Sequence, residues 1–542
     1  MSVLGTAEGF EELATGALES ILSRRPELAS SLGDHRFDDR LMDQRPEALE
    51  DDRRAWRQWL EAVRAIDVAS LSTDQAVDAA ILCNRLDHFL LDLEDLREYE
   101  WNPLVSNPGD AIYGLLAREY APMEARLKAL AGRLAAVPER LAVARRALGL
   151  MPRVHVETAL VQFAGTLSLV TTELDRALLQ APGSSALIST VRPAAVAALE
   201  EHLRWLTDQL PKADGDARIG PELFARKLAL TLDTLTRPEE VRRRAESDLD
   251  RIEEELARTA SHFGGSVAEV FDRLAADRPD NSTIVAAAEQ ALSEATRSVE
   301  DYDLVTVLPD PLEIIVMPEV RRGIAVAYCD APGALETASL PTFFAVSPTP
   351  ADWAPARVES FYREYNTAMV QDLTVHEAMP GHFLQLGHSR KAGTETKVRA
   401  AFRSGPFVEG WAVYAEELMA SHGYGGPAVK MQQLKMLLRS TINALLDQGV
   451  HASGMTEAEA MALMTGRGHQ EQSEAAGKWR RALLTSAQLS TYFVGHTEMT
   501  DAVSAFKLAH PRAGERTVHD TVLSHGSPPP RHLRALLKLD SA

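Results

Sequence analysis

The chain has 542 residues, 45% apolar and 25% charged, as in a soluble globular protein long enough for more than one core. A formal net charge of -21 argues against nucleic acid and against an anionic membrane surface, so neither partner is expected. Two cysteines, Cys83 and Cys329, are too few for a disulfide framework and read as small buried hydrophobes in a reducing compartment.

Met1–Phe10 lacks the basic and apolar regions of a signal peptide, and Ala159–Thr172 is too short and hydroxyl-rich to span a bilayer. A cytoplasmic protein is expected. Most of the first 302 residues read as helix. Val196, Leu199, Leu203, Leu206 and Leu210 follow helical spacing, with Pro193 just inside the start and Pro211 as the stop. Thr236 and Glu239 form a capping box around Pro238, and Val241, Ala245, Leu249, Ile252 and Leu256 form the apolar stripe that follows. Residues 182–184 and 213–216 read as loops.

The texture changes near residue 303. Leu312–Met317, Ile324–Tyr328 and Thr342–Val346 are short β-rich runs, read as a small antiparallel sheet. An edge strand there would either hold an extended peptide by strand addition or simply pack helical lobes together. Helix resumes after Pro355, with Val358, Phe361, Tyr365, Met369 and Leu373 leading into His376. The expected organisation is an N-terminal helical lobe (1–302), a β-sheet segment (303–350) and a second helical lobe (351–542).

The second lobe carries His376-Glu377-Ala378-Met379-Pro380-Gly381-His382. Two imidazoles with a Glu directly after the first suggest a zinc hydrolase, the Glu being the general base. The usual H-E-x-x-H sets its histidines at i and i+4, about 40° apart around a helix; here i and i+6 gives about 240°. Pro380 and Gly381 break the helix, so the segment reads as H-E-x-x-H with a two-residue bulge returning His382 to His376. A fresh helix from Pro406 places Glu409 and Glu416 seven apart on one face.

Roles follow from chemistry. His376, His382 and Glu409 are the expected ligands; this set favours zinc, although copper or cobalt would bind similar groups. Glu377 moves the proton of the attacking water. Glu416 reads either as a hydrogen-bond partner of a ligand histidine or as an exposed helical residue. His388 is a reserve ligand or a surface residue, and Glu417 is expected in solvent. Tyr492 is the candidate oxyanion donor, one helical turn from Gln488, with a core tyrosine as the alternative. Arg480 or Arg481 would bind a substrate carboxylate, or lie exposed on a helix. His496, His519 and His525 are weaker candidates; His519-Asp520 reads as a brace for the C-terminal helices.

Several segments together resemble the bacterial family known as domain of unknown function eight-eight-five. They are Glu27–His35 with Phe37–Leu41, His376–Gln385 (matching H-E-x-x-P-G-H-x-x-Q), Glu409–Leu418 (matching E-G-W-A-x-Y-A-E), and His519-Asp520 with Leu523–Pro529. The resemblance implies a mainly α, two-lobed zincin-like metallopeptidase fold, similar to carboxypeptidase Taq, angiotensin-converting enzyme and thimet-type oligopeptidases. Their third ligand is also a Glu on a following helix, which independently favours Glu409. The chain departs from the family's R-Y-x-x-x-P-G-Q-A-L-x-Y stretch. Arg481, Gln488 and Tyr492 are kept, Ala482 replaces the Tyr, and Ser486-Ala487 replace Pro-Gly.

The expected function is a zinc metallopeptidase acting on short peptides in a deep cleft. One alternative is a zinc hydrolase of a non-peptide amide or specialised metabolite. The other is a binding protein on a zincin scaffold, for which the general base Glu377 would serve no purpose.

Overall fold

The computed structural model describes residues 7–317 and 326–539; the first six residues and the start of the expected second strand lie outside them. The described chain is mainly helical, with one three-stranded sheet. None of the described helices is long and apolar enough to cross a membrane.

The sheet comprises β1 (Leu312–Val316), β2 (Ala327–Asp330) and β3 (Thr342–Val346) in the order β1-β3-β2. It is mixed rather than antiparallel. β3 pairs antiparallel with β2, Cys329 opposite Phe344, but parallel with β1, Leu312 opposite Thr342. The antiparallel expectation assumed that consecutive strands pair. The chain instead inserts β3 between its predecessors, and the long connection from β1 allows a parallel return.

Three helix readings also differ. The helix around Leu199 runs Ser185–Gln209 with Pro193 inside it. The apolar stripe alone did not reveal its first two turns, where Ile188 is the only buried residue. At the Pro238 helix the capping residue is Arg237, whose N–H donates to Glu240 at 3.2 Å, so the box sits one residue later than Thr236/Glu239. Pro238 occupies the first helical position, where its missing N–H costs nothing. The helix read through Tyr365 is two helices, Pro355–Glu364 and Thr367–Glu377. Asn366 caps the second by accepting from Met369 N–H.

Six helices concern the site: α1 (Thr367–Glu377), α2 (His382–Lys391), α3 (Gly405–Ser421), α4 (Gly426–Ser453), α5 (Gln472–Leu484) and α6 (Ser490–Ala509). Phe344 and Val346 of the sheet share a core with Met369 of α1 and with Phe407 and Trp411 of α3. The stripe Leu249, Ile252 and Leu256 packs on Leu434, Leu438 and Ile442 of α4, so α4 is apolar almost all round and deeply buried.

The segment after β2 is tied to the N-terminal helices. Leu335 N–H donates to Leu32 O at 2.6 Å. His35 bridges Asp38 through Nδ1 and Glu336 through Nε2, each at 2.9 Å, and stacks on Tyr120 with ring centroids 3.5 Å apart. Arg118 pairs with Asp330 at the end of β2. Burial disfavours the His35 imidazolium, but the two carboxylates outweigh it and raise its pKa above 6.5. A group whose pKa is raised on folding stabilises fully below its unfolded value and loses that contribution as pH rises through the folded value. The melting temperature should therefore fall as pH rises from about 6.5 through the raised folded pKa, and His35→Gln should flatten that part of the profile. An unchanged profile in the variant would show that the bridge carries no linked proton.

Candidate metal centre

α1 ends immediately after presenting His376 and Glu377. The Met379–Pro380 bond is cis, Gly381 N–H returns to Val375 O at 2.9 Å, and α2 starts at His382. This is a complete break between two helices rather than a bulge inside one. A side chain at Gly381 would place its Cβ 1.9 Å from His376 O, so the turn closes only with glycine. The two imidazoles then meet with ring centroids 4.7 Å apart and planes at 85°.

α3 supplies the third group. Its N-terminus is capped by Ser404, which accepts from Phe407 N–H, and Pro406 sits in the first turn. Trp411 Nε1 donates to Pro380 O at 2.8 Å and fixes α3 against the break. Glu409 Oε2 then lies 3.6 Å from His376 Nε2 and 3.5 Å from His382 Nε2. One ligand atom from each of the three residues falls within 4.8 Å of the others. Glu416, two turns on, accepts from His376 Nδ1 at 2.5 Å and fixes which ring nitrogen faces Glu409. It is buried and not an exposed helical residue. Glu377 Oε2 accepts from the Cys329 N–H of β2 at 2.9 Å.

Burial opposes a charge on His376, but Glu409 and Glu416 raise its pKa well above 6.5. Burial works against ionised Glu409 too, yet the facing His376 and His382 imidazoles hold its carboxyl far below the usual range. Asp372, one turn before His376, is buried with no hydrogen-bond partner at either oxygen among the described residues; burial and then Glu416 push its carboxyl up. Its spacing of four from His376 was a sequence signal for the shared face, and sequence reasoning missed it.

α6 forms the second wall. It touches α3 backbone to backbone: a Cβ on Gly410 would lie 2.3 Å from Gly495 C, and one on Gly495 would lie 2.1 Å from Pro406 O. Glu409 precedes one of these glycines, and Tyr492 lies three residues before the other. Arg481 Nη2 donates to Gln488 Oε1 at 2.8 Å and to Tyr492 OH at 3.3 Å, so these three expected residues form one cluster. Burial and then Glu409 push the Tyr492 phenol up, leaving it a neutral hydrogen-bond donor.

The remaining candidates have other partners. His388 bonds Thr306 O; Arg480 pairs with Glu157. Glu417 is paired with His496 at 2.8 Å rather than free in solvent. His519 binds Leu304 O and Tyr414 OH, and Asp520 accepts from Thr306, bracing the segment that leads into β1. His525 contributes its carbonyl to Arg399.

A mainly helical chain with a His-His-Glu group, its histidines buried, between paired helices is the class that fold and site define. The chain belongs to the bacterial proteins of unknown function DUF885, whose family model matches residues 26–537. A solved structure described as a "putative lipoprotein of unknown function" from Shewanella oneidensis is similar, with 27% identity, a TM-score of 0.83 and coverage of 98% of this chain and 99% of that one. A "putative lipoprotein" from Colwellia psychrerythraea shares the fold at 16% identity and a TM-score of 0.83, over 100% of both chains. No curated protein matches the chain.

The Gly410–Gly495 contact sets the spacing of α3 and α6. Gly410→Ala should force them apart and cost at least about 2 kcal/mol, read as a lower denaturant midpoint at unchanged slope. A midpoint equal to wild type would mean the two helices separate freely.

Proposed function

We propose that this protein is a zinc-dependent hydrolase, a metallopeptidase of zincin-like fold acting on short peptides. The convergence of His376, His382 and Glu409 carries the reading. The residues suit a divalent cation: Glu409 Oε2 is buried without a hydrogen-bond partner, and both Nε2 atoms face it from beyond hydrogen-bond length. Two imidazoles and one carboxylate make a three-ligand zinc set that leaves a fourth position open. Zinc held there would supply the Lewis acid that makes water nucleophilic near neutral pH.

The chain's own residues divide the remaining work. Glu416 orients His376 and leaves its Nε2 free to ligate. Cys329 N–H aims the Glu377 carboxylate, which takes the proton of the attacking water and delivers it to the departing nitrogen. Tyr492, held by Arg481, donates to the oxygen that gains charge. Solvent reaches this ground sparingly, with His376 8% and His382 9% exposed, which favours short, flexible substrates over folded proteins.

Metal analysis should find about one zinc per chain, lost in His382→Ala and held about tenfold to a hundredfold more weakly in Glu416→Gln. Glu377→Gln should keep zinc and lose at least about a hundredfold in peptide turnover. Protein that takes up no metal after zinc addition, or a fully active Glu377→Gln, sinks the reading.

A further inference from the structure

The wall beside the metal centre carries positive charge that the protein leaves unanswered. Six cations stand on α4 and α5, and four have counterions, among them Lys430 with Glu255 and Arg480 with Glu157. Lys435 pairs with Glu364 at 2.9 Å; Arg439 pairs with Glu364 at 3.3 Å and Glu474 at 3.7 Å. Lys478 and Arg481, three apart on one face of α5, have no carboxylate within ion-pair distance among the described residues. Arg481 is held by two neutral groups, Gln488 and Tyr492, which aim its guanidinium and leave its charge uncompensated.

Leaving two like charges side by side is costly, and a chain with 78 acidic residues had ample means to neutralise them. Burial and then the neighbouring Arg439 and Arg481 push the Lys478 amine well below its ordinary value, while Glu474 and, less, Glu409 of the metal centre pull it back. Glu409 also acts on Tyr492. Arg481 meets Tyr492, three residues before the Gly495 that packs on Gly410 next to Glu409, so this pair stands beside the ground where substrate would be cleaved. Arg480, next along the helix, pairs with Glu157 and faces away.

We propose that Lys478 and Arg481 form the subsite for a substrate carboxylate, Arg481 as the planar fork and Lys478 as the point charge. This rests on the peptidase reading and narrows it to acidic peptides or, for a free C-terminal carboxylate, to cleavage near that end.

The test uses zinc-loaded Glu377→Gln protein and pooled tripeptides, one pool as free acids and one amidated. Retention is measured by equilibrium ultrafiltration with mass spectrometry. Free acids should be retained at least about tenfold over amides. If only Asp- or Glu-containing members survive amidation, the carboxylate comes from the side chain; if none does, from the C-terminus. Lys478→Met and Arg481→Met should each abolish the preference at unchanged zinc content. If Arg481→Met melts early, part-exposed Lys478→Gln gives the answer alone.

Retention indifferent to carboxylates overturns the proposal. So does a preference that survives both variants, or one that instead follows Arg403, whose buried Nη1 has no hydrogen-bond partner. Acids retained but never cleaved by the unmutated protein would remove the peptidase reading and leave the subsite standing. Acids and amides cleaved alike would do the reverse.

Discussion

Everything at the metal centre depends on a carbonyl oxygen that tolerates no side chain beside it. His376 O would lie 1.9 Å from any Cβ at position 381, and that closeness lets the chain end α1 and start α2 within four residues. Six residues of sequence separation thereby become a ring-to-ring distance of 4.7 Å. The turn in turn offers Pro380 O to Trp411 Nε1, so the break that aligns the histidines also docks the helix that brings Glu409. α3 must then lie flat on α6, which the glycine pair at 410 and 495 permits.

Electrostatics constrains the same residues from another side. Glu409 and Glu416 project from one face of α3 into ground that burial makes hostile to anions. His376 answers both, through Nε2 toward Glu409 and Nδ1 to Glu416. Asp372, a nearby acid with no hydrogen-bond partner among the described residues, has its carboxyl pushed up by burial. Facing positions of α1 and α3 thus bring three carboxyl groups and an imidazole together. The ring nitrogen left facing Glu409 is the one a ligand needs.

How much of this is legible in the sequence depends on how local its cause is. The Pro-Gly break, the apolar stripe ending at His376 and the seven-residue spacing of Glu409 and Glu416 are local, and each reads directly from the residues. The Arg481–Gln488–Tyr492 cluster was legible in its membership, since helical spacing groups Gln488 with Tyr492. Partners set by long-range packing were not legible. The Cys329 N–H that aims Glu377 comes from a strand 48 residues away, and the parallel pairing of β1 with β3 depends on strand order rather than strand sequence. Pro193 misled because proline is a start signal in most helices and this one tolerates it inside.

The Ser486-Ala487 departure shows how a changed local sequence can keep a distant geometry. Ala487 adopts φ +66° where the family's glycine would pay nothing, a strain of roughly 1–2 kcal/mol. Asp447 of α4 holds that turn with three hydrogen bonds, from Ala487 N–H, Ser490 N–H and Ser490 Oγ, at 2.9–3.0 Å. Such bonds contribute about 0.5–1.5 kcal/mol each, so three together exceed that strain. The anchor therefore outweighs the strain, and Gln488 stays where it can hold Arg481. The loss of the family's Pro-Gly pair thus leaves the shape of the wall intact. What distinguishes this wall is its charge, because Arg481 is held by neutral groups and Lys478 by none among the described residues.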